Sequence, residues 1–216
     1  MFTRGEGAAR PAVILLHGAG GDRTQLVSLA AQWARTGGIA LTLDAAQARN
    51  TTNAREELRA QRDAAAQSVV RVRRAIDYVE SLGSEQIGFI GFSAGARTGA
   101  ILAGVEPRLD ALVLWSGGAT PVGDYVAESP PDLRPLVRST LHAVDPLRWL
   151  ARARPNTVFF QAGRRDEIVP GKALRALIAA APKPQKVQWY DAGHQLTEGA
   201  YKDAQAWLAQ RLKPVK

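Results

Sequence analysis

Short apolar runs recur along the whole chain. Six runs of five residues are rich in β-branched or other apolar side chains, and several are apolar at every position, as strands buried on both faces are. They are Ala12–Leu16, Ile39–Leu43, Gln86–Ile90, Ala111–Trp115, Thr157–Gln161 and Lys186–Tyr190. The pattern predicts six strands.

Between these runs, apolar residues follow the three- and four-residue spacing of amphipathic helices. Four such stripes consist of Leu26, Leu29, Ala30 and Trp33; Val69, Val72, Ile76, Val79 and Leu82; Leu174, Leu177 and Ile178; and Ala204, Trp207 and Leu208. Strands that alternate with helices predict an α/β fold: a mostly parallel sheet of about six strands with helices on both faces.

Two segments interrupt this alternation. Residues 44–57 are predicted to form a loop that leads into the helix of the second stripe. Residues 117–144 contain four prolines and are long for a plain connection, so we expect a functional loop or a short helix there. Asp145 and Pro146 then have the order of an N-cap and a first helical residue, which predicts a helix to about Ala153.

Composition limits the class of protein further. The chain has 216 residues, of which 46% are apolar and 22% charged, so we predict a single domain over 1–216 in which 117–153 form a possible small cap insertion. The absence of cysteine excludes disulfides, thiolate metal sites and a cysteine nucleophile. Three separated histidines lack the usual spacing of metal ligands, so we expect neither metal nor cofactor.

Charge and hydropathy patterns bear on partners and location. The net charge of +8 comes mostly from scattered arginines without a long basic run, so we expect no nucleic-acid partner. The longest apolar run near the N-terminus, Ala12–Leu16, is too short for a signal peptide or a membrane span. We therefore expect a cytoplasmic protein with no membrane partner; the pattern does not predict an oligomeric state.

The segment Gly91-Phe92-Ser93-Ala94-Gly95 has the context of a nucleophile elbow. It follows a predicted strand and precedes a helical stretch, and a sharp turn between them would lift the Ser93 hydroxyl above the sheet. The two glycines would let strand and helix pass closely. The alternative is a tight strand-to-helix turn without chemistry.

A second glycine-rich segment, His17-Gly18-Ala19-Gly20-Gly21, follows the first strand. The backbone N–H of Ala19, together with that of Ala94, could form an oxyanion hole, with Gly20 as the nearby alternative donor. A flexible turn is the other interpretation, and a phosphate-binding loop is not supported because its motifs are absent. His17 is expected to brace this loop rather than to react.

Asp166 and His194 each follow a late predicted strand. A serine nucleophile needs a histidine base whose second nitrogen is held by a carboxylate, and His194 is the one histidine of three at such a strand end. Three neighbouring acids are weaker candidates for the carboxylate. Glu167 directly follows Asp166, Asp191 is too close to His194 in sequence, and Asp44 is more typical of a turn or N-cap.

With these motifs, the chain resembles the α/β-hydrolase superfamily from His17 to Trp207. Within it, the dienelactone hydrolase-like and prolyl oligopeptidase-like serine hydrolases are most similar. The resemblance implies Ser93 as nucleophile, His194 as base, Asp166 as its orienting acid, and oxyanion donors at 19 and 94. Dienelactone hydrolases proper have cysteine in place of Ser93, and prolyl oligopeptidases carry a propeller domain that this chain lacks.

The function expected from these residues is hydrolysis of carboxylic esters through an acyl-enzyme, with a small-molecule ester as substrate. A short cap predicts an open site and small or short acyl groups. Alternatives with the same triad are a thioesterase, a lactonase and a small-peptide hydrolase; a hydrolase-fold binding protein without turnover is another.

Residues that could shape specificity are less well defined. Gly20, Phe92 and Trp115 are candidates for the substrate pocket, although core packing is the stronger expectation for the two aromatic residues. Arg97, Arg164 and Arg165 flank the catalytic segments. They could attract an anionic substrate, but surface charge with salt bridges is the expectation we favour.

Overall fold

Six strands form one fully parallel sheet in the computed structural model, which describes residues 10–213. The ends of the predicted domain, 1–9 and 214–216, lie outside the described residues. The strands are β1 (Ala12–Leu16), β2 (Ile39–Leu43), β3 (Ile87–Phe92), β4 (Leu109–Trp115), β5 (Val158–Gly163) and β6 (Lys186–Tyr190). Their order across the sheet is β2-β1-β3-β4-β5-β6.

All six predicted strands are present, and three of them differ at their ends. The predicted end of β3 at Ile90 is two residues short, because Gly91 and Phe92 remain in register with Leu114 and Trp115 of β4. β4 begins at Leu109, two residues before its predicted start, because Leu109 pairs with Ile87 of β3. β5 ends at Gly163, two residues after its predicted end, because Gly163 pairs with Tyr190 of β6.

Seven α-helices and one short 3-10 helix, Arg23–Leu26, connect the described strands, and an eighth α-helix follows the last strand. The helices are α1 (Val27–Arg35), α2 (Ala54–Ser81), α3 (Ala94–Val105), α4 (Val122–Glu128), α5 (Arg134–His142), α6 (Pro146–Leu150), α7 (Gly171–Ala180) and α8 (Glu198–Arg211). Buried residues of α2, α3, α6 and α7 pack on one face of the sheet, and those of α1 and α8 pack on the other. The predicted α/β architecture is therefore confirmed.

The core consists of two apolar layers because side chains alternate along each strand. In β1, Ile14 and Leu16 belong to the layer under α2 and α3, whereas Val13 and Leu15 belong to the layer under α1 and α8. All four side chains are at most 1% exposed. Each contributes about 1.5–3 kcal/mol by leaving water, which explains the apolar run that predicted this strand.

The two irregular segments acquire defined structure. Asn53 ends the loop of 44–57 by capping α2, since its Oδ1 accepts the N–H of Glu56 at 2.9 Å. The segment 117–144 carries two helices, α4 and α5, rather than one short helix. Asp145 caps α6 as predicted, but α6 ends at Leu150 and continues to Ala153 only as turns.

The strand order places a topological switch point between β1 and β3. The chain leaves β1 toward β2 on one side and then returns to add β3 on the other side. Loops at the carboxyl ends of β1 and β3 diverge at such a point, and the crevice between them is the usual ligand site of open α/β sheets. Among residues 10–213, no helix is both long and apolar enough to cross a membrane.

Candidate active site

Ser93 occupies the sharp turn between β3 and α3. Its backbone has φ of 52° and ψ of −109°, a region that residues with a side chain rarely adopt. The Ser93 N–H donates to the Trp115 carbonyl at 2.8 Å, and its own carbonyl accepts the N–H of Ala96 at 3.0 Å. These hydrogen bonds fasten the turn to β4 on one side and to α3 on the other.

Two glycines permit this turn. A Cβ on Gly91 would collide with the carbonyl oxygen of Gly95, and a Cβ on Gly95 would collide with the carbonyl oxygen of Leu16 in β1. Strand, helix and neighbouring strand therefore approach closely enough that neither position accepts a side chain. The close approach is the physical requirement behind the glycine-x-serine-x-glycine spacing.

The loop after β1 lies directly against Ser93. A Cβ placed on Gly18 would be 3.2 Å from the Cβ of Ser93. Buried His17 braces this loop: its Nε2 accepts the Ala45 N–H at 2.9 Å, so Nδ1 carries the proton and donates to the Gly18 carbonyl at 2.7 Å. Within the described chain, no hydrogen bond engages the N–H groups of Ala19, Gly20 or Ala94.

His194 and Asp166 are in direct contact. His194 Nδ1 lies 2.9 Å from Asp166 Oδ2 and 3.1 Å from Oδ1, and both side chains are largely buried. The Asp166 carboxylate also accepts the backbone N–H groups of Ile168 and Val169, each at 2.9 Å. A carboxylate held in this way fixes the imidazole ring with Nδ1 protonated and leaves Nε2 as the free nitrogen.

The histidine ring also approaches the serine turn. Its centroid is 5.0 Å from that of Phe92, the residue before Ser93. Among the described residues, no hydrogen bond joins Ser93 Oγ to His194. The structure thus brings the three predicted residues to one edge of the sheet and joins two of them directly.

Ser116 is a residue of this site that the sequence analysis did not identify. It is 1% exposed, has a left-handed backbone with φ of 47°, and its Oγ donates to the His194 carbonyl at 2.8 Å. Its neighbour Trp115 accepts the Ser93 N–H. The end of β4 therefore ties the histidine loop to the serine turn.

Two cavities adjoin this arrangement. The Ser93 cavity, about 270 Å³, is lined by Ser93, residues 118–120, Tyr125 and residues 168–170. The α2 cavity, about 390 Å³, lies between α2, α3 and the end of α5. Ala19, Ala94 and Arg97 line both cavities, so these three residues separate one from the other. A larger hollow of about 920 Å³ between α4 and α5 is lined by none of the triad candidates.

None of the three candidate pocket residues lines the Ser93 cavity or the α2 cavity. Phe92 and Trp115 are 5% and 2% exposed, line neither cavity, and pack edge to face with ring centroids 6.3 Å apart. Gly20 is exposed, has no atom within 4 Å of its Cβ position, and lines neither cavity. Phe92 packs against the His194 ring and Trp115 packs against Tyr201, so both aromatic residues belong to the core beside the site.

The three weaker candidates for the carboxylate have other partners or none, and do not contact His194. Asp191 forms an exposed ion pair with Arg165 at 3.2 Å. Asp44 accepts the backbone N–H and a guanidinium N–H of Arg23, both at 2.8 Å. Exposed Glu167 makes no hydrogen bond among the described residues. None of these contacts His194, so Asp166 is its carboxylate partner.

A buried polar network supports the start of the histidine loop. The Tyr190 hydroxyl donates to Asp203 Oδ2 at 2.9 Å and accepts an N–H of fully buried Gln161. Burial raises the pKa of Tyr190, and the neighbouring Asp203 carboxylate raises it further. Tyr190 therefore stays a neutral donor and anchors the strand end before the loop 191–194.

Comparison with known families is in accord with this geometry. The profile of the dienelactone hydrolase family matches residues 2–210, almost the full chain. The chain belongs to the dienelactone hydrolase family. It is accordingly a hydrolase. Among curated proteins, no sequence matches the chain.

Solved structures share the fold of this dienelactone hydrolase family member at low sequence identity. TT1662 from Thermus thermophilus is 22% identical, with a TM-score of 0.70 over 96% of this chain and 91% of that one. Acetyl xylan esterase 1 from a Thermoanaerobacterium species is 17% identical, with a TM-score of 0.75 over 96% and 76%. Arabidopsis thaliana SOBER1 is 15% identical, with a TM-score of 0.65 over 95% and 100%.

Across residues 10–213, no group of three or more His, Cys, Asp or Glu side chains is placed to hold a metal ion.

Proposed function

We propose that the chain is a serine esterase that hydrolyses small carboxylic esters. Ser93 is the nucleophile, His194 the general base, and Asp166 the carboxylate that orients His194. The observation that carries this proposal is the contact of 2.9 Å between His194 and Asp166 at the sheet edge where Ser93 adopts its strained turn. The family match and the esterase among the structural neighbours support it.

The first half of the reaction acylates the serine. Ser93 Oγ attacks the ester carbonyl carbon while His194 Nε2 takes its proton, through a hydrogen bond that forms as substrate binds. Asp166 stabilises the imidazolium through Nδ1. When the tetrahedral intermediate collapses, His194 protonates the leaving alkoxide and the acyl group remains on Ser93.

In the second half, water replaces the alcohol. His194 takes a proton from water, hydroxide attacks the acyl-enzyme carbonyl, and Ser93 leaves with a proton from His194. In both halves the N–H groups of Ala19 and Ala94 donate to the oxyanion. We assign the second donor to Ala19 rather than to Gly20, because Ala19 lines the Ser93 cavity and Gly20 does not.

The dimensions of the Ser93 cavity favour small substrates. Its volume of about 270 Å³ lies just below the range of about 300–1,000 Å³ that is typical of small-molecule pockets. Exposed Tyr125 and Ile168 form an apolar rim. We infer one domain in which α4 and α5 act as a small cap, and a preference for short acyl groups.

The test is hydrolysis of p-nitrophenyl esters from acetyl to dodecanoyl by the wild type, Ser93→Ala and Asp166→Asn. Short esters should react fastest, and each substitution should lower kcat by about 10⁴-fold or more, because triad members act as a unit. Equal turnover by wild type and Ser93→Ala would contradict the proposal.

A further inference from the structure

Gln25 contacts the glycine-rich loop that follows β1. It belongs to the 3-10 helix Arg23–Leu26, and its side-chain Oε1 accepts the backbone N–H of Gly18 at 3.0 Å. Gly18 is buried, and no other hydrogen bond engages its N–H among residues 10–213. The side chain of Gln25 therefore satisfies a buried donor beside the serine turn.

Both ends of this loop lie close to fixed groups. A Cβ added to Gly21 would be 2.9 Å from Gln25 Oε1, so the amide of Gln25 also abuts the far end of the loop. A Cβ added to Gly18 would be 2.9 Å from a ring carbon of Phe92 and 3.2 Å from the Cβ of Ser93. Gly18 is therefore held by Gln25 and by its packing on the serine turn.

The peptide group between Gly18 and Ala19 has a fixed orientation. The Gly18 carbonyl accepts the Nδ1–H of His17 at 2.7 Å and the N–H of Gly21 at 3.2 Å. A trans peptide is planar, so the Ala19 N–H points in the direction opposite to that carbonyl. Gln25 holds the N–H of Gly18 on the other side of the same residue. Together these contacts determine where the Ala19 N–H points.

The 3-10 helix that carries Gln25 is itself anchored. Asp44, directly after β2, accepts the backbone N–H and a guanidinium N–H of Arg23, both at 2.8 Å. Asp22 caps the helix, since its Oδ1 accepts the N–H of Thr24 at 2.7 Å. Because the backbone of Gln25 is fixed in this way, binding to Gly18 restricts only its side-chain rotamers.

We propose that Gln25 is a positioning residue for the oxyanion hole: by holding the Gly18 N–H, it keeps the loop in the arrangement that presents the Ala19 N–H to the substrate. The inference rests on the proposed esterase function. Gln25 lines neither the Ser93 cavity nor the α2 cavity, so it acts through the loop. Oxyanion donors stabilise the transition state more than the bound substrate, so their displacement slows the chemical step without weakening substrate binding.

The test measures kcat and KM for p-nitrophenyl butyrate and the inhibition constant of phenylboronic acid, whose tetrahedral adduct with Ser93 places an oxygen in the oxyanion hole. Gln25→Leu removes the acceptor at similar size, and Gln25→Glu keeps an acceptor oxygen at the same reach. Gln67→Leu is the matched control, since Gln67 is exposed on α2 and lines neither cavity.

Gln25→Leu leaves the buried Gly18 N–H without its acceptor, so the loop should shift. We expect kcat to fall about tenfold, which is part of the about 10²–10³ that loss of a whole donor costs. KM should change less than about twofold, and the inhibition constant of phenylboronic acid should rise about tenfold, in parallel with the loss of kcat.

Two comparisons make the test specific. Gln25→Glu should recover most of the lost kcat in about 1 M salt, where a Debye length of about 3 Å screens the added charge from the oxyanion. Gln67→Leu should match the wild type in all three quantities. Thermal unfolding of each variant verifies that the fold is intact.

The outcomes distinguish the two proposals. If the wild type hydrolyses the ester and Gln25→Leu has the same kcat and the same affinity for phenylboronic acid, the esterase function stands and the positioning role is wrong. The role is also wrong if Gln25→Leu raises KM alone, or if Gln25→Glu is as impaired as Gln25→Leu. If the wild type hydrolyses no p-nitrophenyl ester, the esterase function is wrong and the inference falls with it.

Discussion

At the scale of single residues, the site depends on two serines with left-handed backbones. Ser93 and Ser116 have φ of 52° and 47°, and each ends a neighbouring strand of the sheet. Such conformations cost about 1–3 kcal/mol each, so they persist only where surrounding hydrogen bonds determine them. For Ser116 those partners are Gln161 through the backbone and His194 through the hydroxyl.

Removal of the Ser116 hydroxyl should slow catalysis without weakening binding. Ser116→Ala leaves the His194 carbonyl without its donor, and a small displacement of the base lowers kcat steeply. We expect kcat for p-nitrophenyl butyrate to fall about tenfold with KM changed less than about twofold.

Two further variants make the Ser116 test specific. Ser116→Gly should lose the same activity but unfold at a higher temperature than Ser116→Ala, because glycine adopts positive φ without strain. Ser81→Ala is the control, since Ser81 bonds only its own helix at an exposed position. Full activity in both Ser116 variants would show that the hydroxyl does not position His194.

Residue types and chain order were enough to select three triad candidates that the fold brings together, whereas Ser116 could not be selected in this way. Its hydrogen bond joins residues 78 positions apart, and a serine after a strand has no distinctive spacing to a histidine so remote. The one available signal is that Ser116 ends the strand next to the serine turn. Phe92 and Trp115 illustrate the same limit, because the pattern does not determine whether a strand-end aromatic faces a cavity or the core.

At the scale of elements, a buried carboxylate joins α2 to the turn after α3. Glu106 is 3% exposed and accepts N–H groups of Arg108 at 2.7 and 2.8 Å and of Arg73 at 3.1 Å. Arg108 in turn donates to Asp77 and Glu80 of α2, each at 2.7 Å. This cluster fastens α2 to the turn before β4, at the end of the sheet opposite the Ser93 turn.

The Glu106 cluster should make stability dependent on pH. The hydrogen bond from Arg108 lowers the pKa of Glu106 below its ordinary value of 4.5, although burial opposes the shift. A lowered pKa contributes stability above about pH 4.5 that is lost as pH falls through the folded-state value. Glu106→Gln should therefore cost about 1–3 kcal/mol near pH 7, and the difference from wild type should shrink toward pH 3.

Denaturant unfolding at several pH values measures this dependence, with Glu85→Gln as the control at an exposed position. A deficit of Glu106→Gln that stays constant from pH 7 to pH 3 would refute the assignment. Activity toward short esters is not expected to change at pH 7, because the cluster lies away from the cavities.

Strands were more predictable than the small helices. Each strand is a short apolar run because both of its faces are covered, and only its ends depend on pairing that the sequence does not display. In contrast, α4 buries only Val126 and α5 buries only Val137 and Thr140. Helices with so few buried positions show no clear periodicity, so 117–144 was predicted as a loop or a short helix.

At the scale of the whole molecule, the strand order explains why distant motifs meet. Parallel strands bring their carboxyl ends to one edge, and the switch point between β1 and β3 opens the crevice where residues 17–21 and Ser93 face each other. β5 and β6 deliver Asp166 and His194 to the same edge. The site is therefore a consequence of the topology, with residue identity deciding its chemistry.

The central claim is that His194 and Asp166 activate Ser93, and covalent labelling tests it most directly. A fluorophosphonate should modify the wild type at one residue, and mass spectrometry of the digest should place the adduct on Ser93. His194→Ala should slow labelling by several orders of magnitude, since it removes the base. An adduct on another serine, or labelling of His194→Ala at the wild-type rate, would contradict the claim.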